Sequence, residues 1–280
     1  VTEDTVEIEG YGTIPLDENF YVYKLFGEFS VLGAADILVG YDLQEFVAAD
    51  GKLCAALLER PFDARTIRVL LMDTGFKNLF HKKAELELNC DARLVCKNDD
   101  GDSKESTLKK GEVLTLTAED ERLKHGRMTI IPEKEEGITI CSLERAQGQP
   151  VYSGSLEIKK EEEGLVLINE LYLEDYLKKV VPSEMPASYE KEALKTQAVC
   201  ARTYAYRQIQ GNTYGAYGAH VDDSTSFQVY NNTQTNERTD QAVDETYGQL
   251  LTFDGEPIDA FYYSTSCGHG TDGTVWGNDG

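Results

Sequence analysis

Leu173-Glu-Asp-Tyr-Leu-Lys-Lys-Val-Val-Pro-Ser-Glu-Met-Pro-Ala-Ser188 is the stretch of sequence that decides the fold of the second half of the chain. Its first residues are typical of a short helix, which Pro182 is expected to end because the residue before a proline avoids the α region. A second helix is predicted to begin at Ser188, whose hydroxyl caps free N–H groups, and to run over 189–210 until Gly211. We expect this helix, about 30 Å long, to back a groove formed with short strands.

The long helix carries two neighbouring stripes of side chains, with residues three or four apart. One stripe is small or apolar and should let another element pack closely: Leu194, Ala198, Ala201 and Ala205. The adjacent stripe holds two basic side chains that point the same way: Lys195, Val199, Arg202 and Tyr206.

Short β-branched or alternating runs between polar turns dominate the rest of the chain. They lie at 66–72, 84–88, 112–117, 128–131 and 165–169. The pattern predicts an α+β fold, in which a β-rich N-terminal region precedes a mixed α/β catalytic module with one long helix near 189–210.

The pattern changes near residues 65 and 150, and these changes place the domain boundaries. We expect an N-terminal region of unknown role over 1–65, a β-rich part over 66–150 and a catalytic module over 151–280.

The composition argues against several classes of protein, among them nucleic-acid-binding and disulfide-rich proteins. The 280 residues contain 50 Asp and Glu against 27 Lys and Arg, a formal net charge of −23 at pH 7. A surface this acidic repels phosphates and argues against nucleic acid as a partner. No stretch approaches the roughly 20 apolar residues that cross a bilayer, so membrane contact is expected only through an anchor outside this sequence. The six cysteines are too few for a disulfide scaffold and contain no CxxC pair.

Glu184 is the main candidate for chemistry. The flanking Pro182 and Pro186 leave its segment few conformations to lose, so the carboxyl can be aimed, and a general acid needs positioning before anything else. Taken alone, the same residue also fits a solvated glutamate in a Pro-flanked turn.

Two later strings carry further candidates. His220-Val-Asp-Asp-Ser-Thr-Ser-Phe-Gln-Val-Tyr230 has hydroxyl and amide groups that could bind sugar hydroxyls, and it fits a polar loop entering a strand equally well. Cys267 and His269 are a candidate metal pair, or a nucleophile and base. One short loop places a catalytic pair poorly, and zinc would need distant ligands, so we favour residues that line a ligand groove.

Five ordered strings carry a family resemblance: Asn169–Leu177, Val180–Ala187, Glu192–Tyr204, Asp223–Tyr230 and Tyr263–His269. In this order they resemble the stage II sporulation protein D family, which includes amidase-enhancer proteins. A weaker resemblance extends back to about residue 66, and residues 1–65 resemble no family that we can name.

The resemblance implies a peptidoglycan lytic transglycosylase, a lyase that cleaves glycan strands, preferably stripped of stem peptides, to give anhydromuramyl ends. The family's catalytic glutamate falls on Glu184, which would act as general acid and then general base. Contacts with the substrate are expected from Lys195, Arg202, Tyr204, Gln228, Tyr230, Ser264, Thr265 and Ser266. The Arg202 guanidinium should contact either Glu184 or the glycan.

The resemblance also bears on metal. Some family members bind zinc through cysteines and histidines in the string before Gln-Val-Tyr. At that place this sequence has Asp222, Ser226 and Phe227, and only His220 remains as a plausible ligand. We therefore expect no metal and no cofactor.

The expected partners are peptidoglycan glycan strands and a cell-wall amidase, in an extracytoplasmic location, with the protein secreted or anchored through a segment outside this sequence. The family domain continues beyond Gly280, so the chain is expected to be truncated at its C-terminus. The alternative function is a non-catalytic amidase-enhancing or glycan-binding protein. A third possibility is a cysteine peptidase that uses Cys267.

Overall fold

The computed structural model describes residues 1–2, 4–8, 11–27, 29–37, 44–59, 64–97, 103–211, 213–231, 234–265 and 268–269. Cys267 and Ser266 lie outside the described residues. No helix in these ranges is long and apolar enough to cross a membrane.

The first five strands form one sheet. They are β1 (Thr5–Ile8), β2 (Gly12–Lys24), β3 (Ser30–Leu32), β4 (Gln44–Ala49) and β5 (Lys52–Leu58). The order is β1-β2-β5-β4, with β3 also paired to β2, and β2 runs parallel to β5. The buried side chains of this region form a cluster that includes Val22, Leu53 and Ala56.

Ten further strands precede the first α-helix in the chain. They are β6 (Thr66–Leu71), β7 (Ala84–Leu88), β8 (Ala92–Lys97), β9 (Ser103–Leu108), β10 (Val113–Leu116), β11 (Arg127–Pro132), β12 (Ile138–Ile140), β13 (Val151–Tyr152), β14 (Ser155–Glu161) and β15 (Gly164–Tyr172). Three two-residue strands complete the set: β16 (Val221–Asp222), β17 (Thr252–Phe253) and β18 (Glu256–Pro257). All five predicted runs form strands. In 84–88 the alternation works as expected, because Ala84, Leu86 and Leu88 are buried while the glutamates between them are not.

Two larger sheets are built from these strands, and β17 and β18 pair only with each other in the described residues. A seven-stranded sheet has the order β16-β6-β15-β14-β11-β8-β9, and a four-stranded sheet has the order β10-β7-β12-β13. Within the large sheet β16 is parallel to β6, and the other pairs are antiparallel. The large sheet takes strands from both sides of residue 150, and one hydrophobic cluster extends from Ile67 to Val243. The described parts of 66–150 and 151–280 therefore share a core.

Three α-helices lie in the described residues: α1 (Leu173–Glu184), α2 (Lys191–Gln210) and α3 (Glu237–Glu245). The prediction that Pro182 ends the first helix is wrong, because α1 continues through Pro182 to Glu184. Pro182 lies in the last turn, where its missing N–H removes only one helical hydrogen bond. The Met185 N–H donates to Val181 O at 2.9 Å, and the Ser183 hydroxyl donates to Lys179 O at 2.7 Å, so the turn remains closed.

The second helix begins slightly later than predicted. Residues 186–189 form a turn, closed by the Tyr189 N–H and Pro186 O, so Ser188 is exposed and Glu190 takes the cap position. The predicted apolar stripe is buried as expected: Leu194, Ala198, Ala201 and Ala205 are all inaccessible to solvent. The prediction of an α+β fold with a long second helix is confirmed.

Candidate functional site

Glu184 occupies the last position of α1 and is partly exposed. Its Oε1 accepts a hydrogen bond from the backbone N–H of Val229 at 2.9 Å and a longer one, 3.5 Å, from the Tyr262 hydroxyl. Glu184 has no other hydrogen bond or ion pair with the described residues, so Oε2 is left without a partner. One carboxylate oxygen is therefore fixed, and the other is available to a ligand.

Gln228 holds the two donors in place. Its amide nitrogen donates to the Tyr262 hydroxyl at 2.9 Å and to the carbonyl of Ala201, in α2, at 3.2 Å. Its amide oxygen accepts from the Tyr176 hydroxyl of α1 at 3.3 Å. The network thus joins both helices to the segment that carries Val229, which fixes the backbone N–H beside Glu184.

Tyr262 keeps its proton under ordinary conditions. Burial raises the pKa of its hydroxyl well above the usual value, and the nearby charge of Glu184 raises it further. The Tyr204 ring packs edge-on against the Tyr262 and Phe261 rings, with centroid separations of 6.4 and 5.9 Å. Tyr262 is therefore a fixed hydrogen-bond donor rather than an acid of the site.

Two predicted substrate contacts lie inside the protein instead of on a groove surface. Gln228 and Tyr230 are each 1% exposed. The Tyr230 hydroxyl donates to Asn169 Oδ1 at 2.9 Å, and its ring packs between those of Tyr152 and Tyr176. Their polar atoms are satisfied within the core, so they support the site rather than line it.

Three other predicted contacts are more accessible. Tyr204 is partly exposed, while Ser264 and Thr265 are exposed, with their hydroxyl oxygens 3.5 Å apart. Tyr204 belongs to α2, whereas Ser264 and Thr265 lie two and three residues after Tyr262, whose side chain contacts Glu184. Ser266 lies outside the described residues.

The two basic residues of the predicted stripe have partners other than Glu184. Lys195 lies 3.4 Å from Glu192 and 3.6 Å from Glu245. Arg202 is 1% exposed, and its guanidinium forms a two-pronged ion pair with Glu174 at 2.8 and 2.7 Å. Glu174 precedes Glu184 by ten residues, about 15 Å along α1. The predicted contact between Arg202 and Glu184 is therefore absent.

The residues at the family's zinc-binding string do not fit a zinc site. The Asp222 carboxylate accepts hydrogen bonds from the Tyr214 hydroxyl and the Ser224 N–H, each at 2.7 Å, and His220 Nδ1 accepts the Arg68 N–H at 3.0 Å. Within the described ranges no three His, Cys, Asp or Glu side chains are grouped as a metal site. His269 is exposed. The absence of zinc stays a prediction, which elemental analysis of the purified protein would check.

His220 makes the folding stability of the protein depend on pH. Burial lowers the pKa of His220 to about 3, helped by the Arg68 charge. The unfolded chain takes up the proton near pH 6.5, so between these values the unfolded state binds more protons and folding stability falls as the pH falls. Burial also raises the pKa of Asp223 to about 6, despite the Arg145 charge, and this works in the opposite direction.

We expect His220→Asn, which keeps an acceptor for the Arg68 N–H, to weaken the pH dependence of stability. Between pH 6.5 and 4.5 the wild type should lose about 2 kcal/mol more of its unfolding free energy than the variant. Urea unfolding at both pH values measures this difference. Asp223 is present in both proteins and cancels. The same loss in both proteins would contradict the assignment.

Sequence reasoning missed two groups that contact Glu184. One is the Val229 backbone N–H, which no side-chain pattern signals. The other is Tyr262, which directly precedes the string Tyr263–His269. Its neighbours Phe261 and Tyr263 are exposed at 48% and 63% while Tyr262 is partly buried, but all three are aromatic, so the sequence held no signal that singles out Tyr262.

Comparisons with known proteins show what the segment that carries Glu184 is similar to. Residues 161–253 match the family model of SpoIID, described as "Stage II sporulation protein". The chain is 39% identical over 144 residues to an uncharacterized protein of Brachyspira hyodysenteriae, covering 51% of this chain and 37% of that protein. It is 43% identical over 93 residues to the amidase enhancer of Bacillus subtilis, covering 33% and 12%.

A third relative is the stage II sporulation protein D of Bacillus subtilis, which is 38% identical over 117 residues and covers 36% of this chain and 34% of that protein. The chain therefore spans little more than a third, or less, of the length of these relatives. The matched residues include α1, α2 and Glu184. The resemblance predicted from the ordered strings is confirmed: residues 161–253 of this chain are similar to the stage II sporulation protein D family.

Proposed function

We propose that the protein is a lytic transglycosylase of the bacterial cell wall that cleaves peptidoglycan glycan strands with Glu184 as general acid and base. One observation carries the proposal. The Glu184 carboxylate is held at Oε1 by the backbone N–H of Val229 and the hydroxyl of the partly buried Tyr262, while Oε2 has no partner among the described residues. A positioned carboxyl with one free oxygen is what proton transfer to a glycosidic oxygen requires.

The reaction proceeds in two proton transfers. Protonated Glu184 gives its proton to the glycosidic oxygen as the bond from that oxygen to C1 of the muramyl sugar breaks. The muramyl 6-hydroxyl oxygen then bonds to C1 and gives its proton to the Glu184 carboxylate. The products are an anhydromuramyl end and a free hydroxyl on the leaving sugar, and Glu184 returns to its protonated form without water.

A single carboxylate is enough for this chemistry. Hydrolysing glycosidases generally place two carboxyl groups across the bond, one as acid and one as nucleophile or base. Here the side chain and backbone groups that contact Glu184 come from Tyr262 and Val229, neither of which is acidic. Because the substrate's own hydroxyl is the nucleophile, no second carboxylate is needed.

The names of the relatives support a role at the cell wall. Names that refer to sporulation and to enhancement of an amidase connect related proteins with the cell wall. We therefore propose an extracytoplasmic location, glycan strands as substrate and a cell-wall amidase as partner. The amidase-enhancer name also favours a second candidate, a non-catalytic protein that grips glycan or the amidase and leaves Glu184 unused.

Product analysis separates the two candidates. Peptide-free glycan strands are incubated with the protein, and mass spectrometry identifies their ends. The transglycosylase should leave anhydromuramyl ends, which are lighter by one water than the reducing ends of a hydrolase. Glycan that remains uncut, while amidase activity rises on addition of the protein, would establish the second candidate instead.

Tyr262→Phe is expected to lower turnover about tenfold with little change in KM. The ring keeps its packing, but Glu184 loses one of two donors and the Gln228 amide loses an acceptor. Initial rates of anhydromuramyl formation measure the effect. Tyr263→Phe is the matched control, because it removes the same atom from an adjacent exposed side chain. Equal losses in both variants, or full activity in Tyr262→Phe, would contradict the role of Tyr262.

A further inference from the structure

A large cleft lies on another part of the protein. Its volume is about 1130 Å³, and Glu184 is not among its lining residues. The walls come from α1, from the segment around β13, from the start of α3 and from the ends of β11 and β15, and they include the carboxylates of Glu133, Glu135 and Glu170. The residues that matter below are Asp175, Lys179, Asp240, Gln149, Val151 and Ser153.

Helix geometry separates this cleft from the Glu184 site. Successive residues of an α-helix are turned by about 100°, so Asp175 and Glu184, nine residues apart, point in opposite directions from α1. Lys179 is turned by about 140° from Glu184 on the same basis. The cleft and the Glu184 carboxylate therefore lie on different sides of one helix.

Two cations of the cleft, Lys179 and the exposed Lys134, have no ion pair among the described residues, and of the two only Lys179 is shielded from solvent. It is half-buried, and among the described residues its ammonium group has no hydrogen bond and no ion pair. Its neighbours differ: Lys178 lies 2.9 Å from Asp244, and Arg145 lies 2.6 Å from Asp223. Burial lowers the pKa of Lys179, and the Coulombic effect of Asp240 opposes this only in part. An anion from outside would compensate the buried charge.

The acidic groups of the cleft limit which anion fits. Asp240 Oδ1 is inaccessible to solvent and has no hydrogen-bond partner among the described residues. Burial raises the pKa of both Asp240 and Asp175; the Lys178 charge opposes this, and nearby carboxylates add to it. A multiply charged anion such as phosphate would be repelled by this environment. A single carboxylate brings one negative charge for the one half-buried lysine that has no partner among the described residues.

The backbone beside Lys179 suits an extended chain. β13 is an edge strand of the four-stranded sheet, paired only with β12 in the described residues. Val151 of β13, Gln149 before it and Ser153 after it all line the cleft. An edge strand presents unpaired N–H and C=O groups, to which an extended peptide adds as a further strand.

We propose that this cleft binds a short extended peptide with a free C-terminal carboxylate, which pairs with Lys179 while the peptide backbone lies along β13. The site does not depend on the proposed function of Glu184. A charge-assisted hydrogen bond fixes the terminus, and the hydroxyl and amide side chains of the walls accommodate the polar backbone.

Binding of trialanine to the 280-residue protein tests the site. Titration calorimetry should show saturable binding to one site at peptide concentrations up to about 10 mM. Trialanine amide, which lacks the negative charge, should bind about tenfold more weakly, and inorganic phosphate should not compete. Lys179→Gln should weaken binding of trialanine about tenfold. Lys191→Gln removes an exposed lysine outside the cleft and should leave binding within about twofold of wild type.

Several outcomes would overturn the proposal. They are absence of saturable binding, equal binding of peptide and amide, competition by phosphate, and unchanged affinity in Lys179→Gln. The Glu184→Gln variant tests whether trialanine binds in the cleft or at the Glu184 site. If that variant loses trialanine, the peptide occupies the Glu184 site and the cleft is not its binding site. If it retains trialanine but loses glycan cleavage, the two sites are independent, as proposed.

Discussion

Glu184→Gln is expected to lower the rate of anhydromuramyl formation by about a thousandfold, the middle of the range for loss of general acid–base catalysis. The amide has the shape of the carboxyl group, and its oxygen can still accept the Val229 N–H. It has no acidic proton for the glycosidic oxygen and cannot accept the proton of the 6-hydroxyl. The rate should therefore fall through kcat, with KM nearly unchanged, because the variant still binds the glycan.

The control for this variant is Glu162→Gln, which removes the same charge from an exposed turn between β14 and β15. The unfolding free energies of both variants, measured in urea, should lie within about 0.5 kcal/mol of the wild-type value, since neither change leaves a buried charge without a partner. If wild type cleaves glycan and folded Glu184→Gln cleaves it equally fast, Glu184 is not the acid. A similar loss in Glu162→Gln would show that net charge, and not this carboxyl group, controls the rate.

The parts of the fold that were predictable are those whose signal is local. The run at 84–88 alternates strictly, and one face of a sheet is buried, so its register follows from the residues themselves. The same holds for the small stripe of α2, where three alanines permit close packing of α1 and α3. The end of α1 was not predictable from Pro182, because the proline removes only one backbone N–H donor and hydrogen bonds from Ser183 and Met185 close the last turn.

The candidate site was predictable only where a residue type signals its chemistry. Glu184 stood out because a carboxyl between prolines is held in place. Gln228 and Tyr230 are polar and were expected on a surface, yet each finds its hydrogen-bond partner on a distant element, which lets it be buried. Partners 27 and 61 residues away leave no local pattern. The Val229 N–H is a backbone group, and only the folded chain brings it to Glu184.

Arg202 shows how the structure changes an expectation. Its position on α2 suggested a contact with Glu184 or glycan, but its guanidinium is enclosed by Glu174, the Val243 carbonyl at 3.2 Å and the Thr246 hydroxyl at 3.4 Å. These groups belong to α1 and to the end of α3. Arg202 therefore joins three helices, and it affects Glu184 by fixing the helix that ends in that residue.

We expect Arg202→Ala to lower the unfolding free energy by about 3–5 kcal/mol, the cost of removing one partner from a buried pair. Glu174 is 19% exposed, so water solvates part of its carboxylate and places the loss near the lower end of this range. Arg202→Lys keeps the charge but cannot form both prongs, so its loss should be intermediate. Urea unfolding gives the unfolding free energy of wild type and both variants. The rate of glycan cleavage per folded molecule then measures the effect on Glu184.

A double-mutant cycle with Glu174→Ala separates a structural role from a substrate contact. Because the two side chains contact each other directly, their effects on stability should be coupled by about 1–3 kcal/mol, with the double variant less damaged than the sum of the singles. Glu174→Ala should also reduce cleavage, since it releases the same end of α1 without touching Arg202. If instead Arg202→Ala is as stable as wild type and inactive, while Glu174→Ala is fully active, the guanidinium must leave Glu174 and bind the glycan. The buried, two-pronged geometry predicts the opposite, because withdrawal of Arg202 would leave the Val243 carbonyl and the Thr246 hydroxyl without this donor inside the protein.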